Sequence, residues 1–316
     1  MKSIVISGIG RCGKSLVTAG FILNFKNCGY FKPIGEKRKV GGRMIDEDVY
    51  LMKKIANISL SDYDICPGLD FPEVDIDIEK IKSAYQKAVE NKDHIIIETD
   101  IVRGARNGLS SFEIADALNT KILLVIEEKD GWEDEMAFLK RQGEELIKGV
   151  VLNKVKNLDL VDKDAFLGTI PYTEGFSSVS CAQIQEALSA NILAGNGGLL
   201  RQVENILVGA MTPKYAMPYL ERIPNKTIIT GGDRTDLILS VLTEDTSCIV
   251  LTGDIIPFPE VIEKAEIKKI PLLSVPWDTH TTLDKIETVI PKINPDNKAR
   301  LSSIKEITNS LCKAVF

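Results

Sequence analysis

The residues best suited to chemistry stand in one glycine-rich segment near the start of the chain. The sequence Gly8-Ile9-Gly10-Arg11-Cys12-Gly13-Lys14-Ser15 satisfies the pattern G-x-x-x-x-G-K-[ST]. Glycines let backbone N–H groups curl around a phosphate, and the helix that follows adds the positive end of its dipole. In such a loop Lys14 reaches the β- and γ-phosphates of a nucleotide, and the Ser15 hydroxyl coordinates Mg²⁺.

This segment follows a predicted strand and precedes a predicted helix, the context that the pattern requires. A chance glycine-rich turn is the alternative, and the length and placement of the match argue against it. The residues predicted to bind the nucleotide here are Gly8, Gly10, Arg11, Cys12, Gly13, Lys14, Ser15 and Leu16.

Composition limits the other classes of function. The chain has 316 residues with 44% hydrophobic and 27% charged side chains, which predicts a globular protein of about two domains. A net charge of −6 argues against a nucleic-acid partner. The apolar runs are only strand-length, so no membrane span is expected, and the start of the chain does not resemble a signal peptide. The six cysteines are scattered and form no C-x-x-C pair, so a cytoplasmic protein remains the expectation. Only two histidines are present, which excludes a histidine-rich metal site.

Strand-like and helix-like segments alternate along the first half of the chain. The strand-like runs are rich in β-branched residues, as at 95–97, which suits parallel strands covered on both faces. Apolar residues within 76–91 recur at helical spacing. The predicted strands of this half are 3–7, 29–34, 94–98, 121–127, 149–152 and 166–170.

A polar segment at 173–180 precedes a second alternating series, which ends in a predicted helix at 297–316. We therefore predict an α/β fold with two domains. Residues 1–175 form a parallel P-loop sheet flanked by helices. Residues 176–316 form a smaller α/β domain that includes the C-terminal helix.

Polar residues follow the predicted strands of the first domain. They comprise Lys32, the acidic cluster 46–48, Glu98 with Asp100, and Asn153. The carboxyl ends of parallel strands lie at one edge of the sheet, where open α/β folds bind ligands. This order of motifs over residues 1–175 resembles the dethiobiotin synthetase family and the related N-terminal domain of long phosphotransacetylases.

The resemblance implies a Mg·ATP site with catalytic roles for Lys14 and Lys32. Lys32 would face the γ-phosphate, Ser15, Asp48 and Glu98 would lie on the metal side, and Asn153 would read adenine. Plainer interpretations exist, because Asp48 also suits the first turn of a helix and Asn153 suits a turn at the end of a strand.

Two segments depart from the dethiobiotin synthetase pattern. That family continues the third strand as E-G-A-G-G, whereas this chain reads Glu98-Thr99-Asp100-Ile101-Val102-Arg103-Gly104, and it lacks a Thr-Gly pair after Ile34. The substrate half of the site is therefore altered, and dethiobiotin synthesis is not expected. The basic residues of 37–43, and Arg103 with Arg106, form either anion-binding loops or solvated charged loops.

The second domain resembles the DRTGG domain of long phosphotransacetylases, through the segment Gly231-Gly232-Asp233-Arg234-Thr235 and the strand-like runs 249–253 and 272–275. Asp233 is placed to cap a helix, and the glycines allow close approach of the backbone. We expect the turn of Gly232, Asp233 and Arg234 to face the nucleotide domain or a small anionic effector. Replacing Arg234 by alanine should then alter nucleotide affinity or turnover.

The function expected from the sequence is that of a Mg·ATP-binding regulatory or nucleotide-sensing protein, with slow ATP hydrolysis at most. Its partners would be the nucleotide, a small anionic effector or protein, and a second copy, since the relatives commonly form dimers. The chain ends where a phosphotransacetylase would begin its catalytic domain, so acetyl transfer is not expected. The alternative is an ATP-dependent ligase or kinase that activates a small carboxylate, as in dethiobiotin synthetase or cobyrinic acid a,c-diamide synthase.

Overall fold

A computed structural model divides the chain into two compact units. The first unit comprises Met1–Tyr172 and Ile293–Phe316, and the second comprises Thr173–Lys292. The structure describes residues 1–40, 43–71, 75–173, 178–287, 289 and 293–316. The predicted domain boundary at 175–176 and the glycine pair 41–42 of the basic segment lie outside the described residues.

The first unit is built on a six-stranded sheet whose neighbouring strands are all parallel, in the order β2-β5-β1-β6-β7-β8. The fold class expected from the sequence is thus confirmed. Its elements up to the second unit are β1 (Lys2–Ser7), α1 (Lys14–Asn24), β2 (Cys28–Phe31), β3 (Arg38–Val40), β4 (Arg43–Ile45), α2 (Glu47–Ala56), α3 (Asp62–Ile65), α4 (Ile78–Val89), β5 (His94–Glu98), α5 (Ser111–Ala117), β6 (Ile122–Glu127), α6 (Trp132–Gly143), β7 (Ile147–Val155) and β8 (Gly168–Pro171).

Burial explains why the central strands form. Ile95, Ile96 and Ile97 of β5 are all completely buried, as continuous β-branched composition predicts for a strand covered on both faces. Several helices begin at side chains that accept backbone N–H groups, such as Asp46 before α2 and Asp77 before α4. The short antiparallel hairpin of β3 and β4 was not predicted.

The second unit has a five-stranded sheet in the order β10-β15-β14-β13-β12, in which β10 is antiparallel to β15 and the other pairs are parallel. A two-stranded antiparallel ribbon joins β9 and β11. The elements are β9 (Val179–Ser180), α7 (Cys181–Leu188), β10 (Asn191–Ala194), β11 (Gln202–Val203), β12 (Asn205–Val208), α8 (Pro213–Leu220), β13 (Lys226–Gly231), α9 (Thr235–Val241), β14 (Thr246–Thr252), α10 (Pro259–Lys268), β15 (Leu272–Ser274) and α11 (Thr279–Glu287).

The C-terminal helix α12 (Lys298–Val315) differs from the prediction, which assigned it to the second domain. It belongs to the first unit, where it packs on α1 and β8. A Cβ atom on Gly20 of α1 would lie 2.4 Å from the Thr308 hydroxyl oxygen, so the missing side chain allows close packing of the two helices. Asn24 donates hydrogen bonds to the Lys305 carbonyl and to the Thr308 hydroxyl, at 2.9 and 3.1 Å.

The residues between the two parts of the first unit therefore form an insertion in the chain, entered after β8 and left before α12. Across the described ranges, none of the helices combines the length and the apolar composition that crossing a membrane requires.

Candidate functional site

The glycine-rich loop lies between β1 and α1, as predicted, and its glycines meet different demands. A Cβ atom on Gly8 would lie 2.2 Å from the Val125 carbonyl oxygen, and one on Gly13 would lie 2.0 Å from Nδ2 of Asn153. Gly10 has φ +60° and nothing within 4 Å of a Cβ position, so its backbone is open. Helix α1 begins with no side-chain cap and no acidic residue in its first turn, which leaves its positive end suited to an anion.

Lys14 lies over this loop. Its Nζ donates to the carbonyl oxygens of Gly8 and Gly10 at 3.0 and 2.7 Å, and pairs with Asp100 Oδ2 at 3.0 Å. Only 12% of its side chain is exposed. Asp100 was not among the predicted site residues, although its position two residues after Glu98 at the end of β5 was a usable signal. The structure gives it the role of an internal anion for the lysine.

Ser15 and Glu98 meet at the other side of the loop. The Ser15 hydroxyl donates to Glu98 Oε1 at 2.8 Å, and the Tyr30 hydroxyl donates to Oε2 at 3.1 Å. Glu98 is only 3% exposed. Burial, with a smaller contribution from the charge of Asp48, raises the pKa of Glu98 to about 7, against the opposing influence of Lys32.

Lys32 occupies a cluster of carboxylates. Its Nζ lies 2.9 Å from both carboxylate oxygens of Asp46 and 2.6 Å from Oδ2 of Asp48. Burial alone would lower the pKa of Lys32, but the two carboxylates outweigh it and raise that pKa. Burial likewise opposes the charge of Asp48, yet the Lys32 ammonium holds the pKa of Asp48 below its usual range. Lys32 is therefore charged, and its charge is balanced within the site.

Asp46 is a further residue that sequence reasoning left without a role. It is 3% exposed, and besides Lys32 it accepts the backbone N–H groups of Val49 and Glu36, at 3.0 and 2.9 Å. Asp46 therefore caps the start of α2 and at the same time holds Lys32, the residue that follows β2.

Asn153, predicted to read adenine, is 3% exposed and donates from Nδ2 to the Cys12 carbonyl at 2.8 Å. The structure therefore places its amide nitrogen against the loop backbone.

The segment after β5 closes the space beside this cluster. Arg103 donates to the carbonyl oxygens of Gly35 and Phe71 at 3.3 and 3.2 Å, and lies 3.3 Å from Glu36 Oε2. Arg106 is exposed. A cavity of about 10 Å³ remains, which has room for one water molecule at most. Its lining residues are Ile34, Thr99, Asp100, Arg103, Leu109 and Ile114.

Lys37 is a basic residue of the predicted segment 37–43 whose side-chain contacts the structure describes. Its Nζ donates to Asp70 Oδ2 at 2.7 Å and to the Tyr63 hydroxyl at 2.8 Å. Lys37 therefore forms an ion pair with Asp70 in this structure.

The oxygens that converge here fit a magnesium ion held mainly by phosphates. Within the described part of the chain no group of three or more His, Cys, Asp or Glu side chains could hold a metal by itself. Ser15 and Glu98 offer a hydroxyl and a carboxylate next to the loop, and Mg²⁺ prefers such oxygens and commonly takes the rest from water and nucleotide. Asp48 contacts Lys32 directly.

In the second unit, groups of the same unit pack against the turn between β13 and α9. A Cβ atom on Gly232 would lie 1.9 Å from the Ile255 carbonyl oxygen. Arg234 donates to the Met211 carbonyl at 2.9 Å. The prediction that Asp233 caps the helix is wrong, because the residue before α9 is Arg234 and no side chain caps that end. Asp233 is exposed, and its carboxylate lies instead over Gly231.

Comparisons with known proteins agree with this two-part organisation. Residues 183–289 match the family model described as the DRTGG domain. The phosphate acetyltransferase of Synechocystis sp. is 29% identical, over 92% of this chain and 47% of that protein. The ATP-dependent dethiobiotin synthetase of Caldicellulosiruptor saccharolyticus is 27% identical, over 54% of this chain and 80% of that protein. The chain spans about half the length, or less, of the phosphate acetyltransferases it matches.

Two solved structures are similar at a greater distance. The CBS and DRTGG domains of the regulatory region of Clostridium perfringens pyrophosphatase, complexed with diadenosine tetraphosphate, match with a TM-score of 0.31 and 21% identity. That match covers 42% of this chain and 60% of the other. A plasmid partition protein of Borrelia burgdorferi bound to AMPPNP matches with a TM-score of 0.35 and 16% identity. That match covers 55% of this chain and 89% of the other. Scores this low carry no argument about function.

The sequence relatives and the family model confirm the composition expected from the sequence. The chain is a P-loop protein that also carries a DRTGG domain.

Proposed function

We propose that the first unit binds Mg·ATP through the loop at residues 8–15, and that the protein senses or responds to this nucleotide. The observation that carries the proposal is the convergence of Lys14, Lys32, Ser15 and Glu98 at the end of one parallel sheet, beside an open glycine loop. Two cations and a helix N-terminus suit a polyphosphate, and the hydroxyl and carboxylate suit its metal ion.

Each residue then has a defined task. Lys14 exchanges Asp100 for a phosphate oxygen when the nucleotide enters, since both anions compete for one ammonium group. The Ser15 hydroxyl and Glu98 would hold the magnesium ion, which would supply neutralisation of phosphate charge. Asp46 and Asp48 hold Lys32 in place, so Lys32 faces the terminal phosphate as a fixed cation. Asp48, held by Lys32, would lie on the metal side of the site.

A sensing role is supported by the closed acceptor side. Arg103 ties the segment after β5 to the carbonyl oxygens of Gly35 and Phe71, and the cavity beside it has room for one water molecule at most. Slow hydrolysis is therefore the most that this side of the site favours. The DRTGG unit would supply the regulatory response, to a small anionic effector or a protein partner.

A second candidate is an ATP-dependent enzyme that activates a small carboxylate. It is favoured by the relative named as a dethiobiotin synthetase, 80% of which is covered by this chain. An assay with the diamine precursor, bicarbonate and ATP separates the two candidates. We expect no dethiobiotin, and robust turnover would establish the enzyme.

Nucleotide binding itself is tested by calorimetric titration of the full chain with ATP, ADP and GTP, with and without Mg²⁺. Replacing Lys14 by alanine removes a charge-assisted contact worth ~1.5–3 kcal/mol, so ATP affinity should fall by about 10- to 100-fold. Lys26→Ala is the matched control, because this exposed lysine lies just beyond α1. Equal affinity of a folded Lys14→Ala protein and of the control would refute the assignment.

A further inference from the structure

Tyr30 is a buried polar residue whose hydroxyl contacts Glu98 of the site. It lies on β2, is only 1% exposed, and pairs in register with Ile96 of the parallel neighbour β5. Glu98 stands two residues after Ile96 and therefore points to the same face of the sheet. This register brings the tyrosine hydroxyl to 3.1 Å from Oε2 of Glu98.

The two oxygens of Glu98 consequently have different partners. Oε1 accepts from the Ser15 hydroxyl at 2.8 Å, and Oε2 accepts from Tyr30. A serine whose oxygen binds a cation still carries its proton, so it can keep donating to Oε1. The contacts then form one chain from Tyr30 through Glu98 to Ser15, the residue at the cation.

We propose that Tyr30 is a positioning residue for the metal side of the site, which fixes the rotamer of Glu98 and through it the orientation of Ser15. A carboxylate that is 3% exposed needs a donor for each oxygen, and a buried tyrosine on β2, paired with β5, holds that donor at one place. Residues behind the direct metal ligands commonly change metal affinity by about 10- to 100-fold when replaced.

The inference rests on the proposed binding of Mg·ATP. It predicts that Tyr30→Phe changes ATP affinity in Mg²⁺ but not in EDTA. The measured quantity is the factor by which Mg²⁺ strengthens ATP binding, from titrations of the full chain in Mg²⁺ and in EDTA. We expect Tyr30→Phe to reduce this factor about tenfold. ATP affinity in EDTA should stay within about twofold of the unaltered protein, since the Tyr30 hydroxyl donates to Glu98, on the metal side. A merely structural tyrosine would change both affinities together or neither.

Tyr85→Phe is the matched control, because this tyrosine is also buried but lies on α4 and packs against Phe31. It should leave the factor unchanged. Glu98→Gln should reduce the factor at least as much as Tyr30→Phe, and the double variant should add little, because the two residues act as one unit. A factor within about twofold of the unaltered value in folded Tyr30→Phe would overturn the inference.

A spectroscopic measurement covers the case in which Tyr30→Phe fails to fold. In unaltered protein labelled with ¹³C at the tyrosine Cζ, the Tyr30 signal is the one displaced by Glu98→Gln. We expect Mg²⁺ added to the ATP-loaded protein to shift this signal, and an unshifted signal would overturn the inference. If the unaltered protein binds no ATP, the proposed function fails. If ATP and Mg²⁺ bind but Tyr30 has no effect, only this inference fails.

Discussion

Both units carry a glycine-rich turn between a buried parallel strand and a helix, at residues 8–13 after β1 and at 231–234 after β13. In the first turn, Gly10 has nothing within 4 Å of a Cβ position, and the lysine at the start of the helix is paired with the carboxylate of Asp100. In the second, Gly232 lies against the Ile255 carbonyl, and Arg234 is engaged by the Met211 carbonyl.

The difference shows what separates a binding turn from a structural one. Glycine supplies freedom of the backbone in both places, but in the first turn Gly10 also leaves its stretch of backbone uncovered. In the first turn, Lys14 and Ser15 of α1 also meet carboxylates at the end of β5, and a second lysine, Lys32, follows β2. The composition of a strand–turn–helix segment is therefore less informative than the atoms that surround it.

The largest expected effect concerns the covered turn. Gly232→Ala would place a Cβ atom 1.9 Å from a backbone oxygen, which cannot rotate away, so we expect the second unit to lose about 3 kcal/mol of unfolding free energy. The measurement is urea unfolding followed by Trp277 fluorescence in a Trp132→Phe background, because Trp277 lies in the second unit and Trp132 in the first.

The matched control for this prediction is Gly197→Ala in the same unit. A Cβ atom there would meet only the far end of the Lys269 side chain, at 3.6 Å, so a change within about 0.5 kcal/mol is expected. Equal stability of the two variants would show that the turn of Gly232 is as open as the phosphate loop.

A smaller effect is expected on the pH dependence of the unfolding free energy. It should distinguish the charged site around Glu98 from the covered turn of Gly232. The pKa of Glu98 is raised from 4.5 to about 7 in the folded protein. A raised pKa means that the folded state binds the proton more tightly, so this contribution to stability is complete below pH 4.5 and lost as pH rises through about 7. We expect the protein without nucleotide to lose about 2 kcal/mol from this group between about pH 5.5 and about pH 8.5.

Denaturant unfolding at these two pH values checks the expectation. Glu98→Gln should remove this part of the pH dependence, because glutamine does not titrate. Asp233→Asn, at an exposed position in the other turn, should retain it. If Glu98→Gln and the unaltered protein lose the same stability over this range, the buried carboxylate is not the source.

Much of the fold followed from local patterns, whereas the surroundings of the site did not. The strands at 94–98 and 121–127 were predictable from β-branched runs, and the phosphate loop from its spacing. The roles of Tyr30, Asp46 and Asp100 depend on the strand order β2-β5-β1, which brings residues far apart in the chain to one edge of the sheet. No pattern in the chain specifies that order.

Long-range packing limited the prediction of the domains in the same way. Helix α12 follows the second unit in the chain, and its local sequence indicates only an amphipathic helix. Its place is decided by the missing side chain of Gly20 and by hydrogen bonds from Asn24, which lie almost 300 residues away in the sequence. The covering of Gly232 by Ile255 is another long-range contact that the glycine pair alone did not reveal.

The smallest expected effect is that of Arg234→Ala on nucleotide binding. The sequence suggested that this turn faces the nucleotide domain or an anionic effector, and coupling between such sites typically amounts to ~1–3 kcal/mol. In the structure the Arg234 guanidinium donates a hydrogen bond to the Met211 carbonyl, and α9 has only seven residues. We therefore expect ATP affinity within about twofold of the unaltered protein, measured by the same titration with Lys14→Ala as the positive control. A fall beyond about fivefold, the size of a coupling near 1 kcal/mol, would instead make the covered turn part of the nucleotide response and remove the contrast between the two turns.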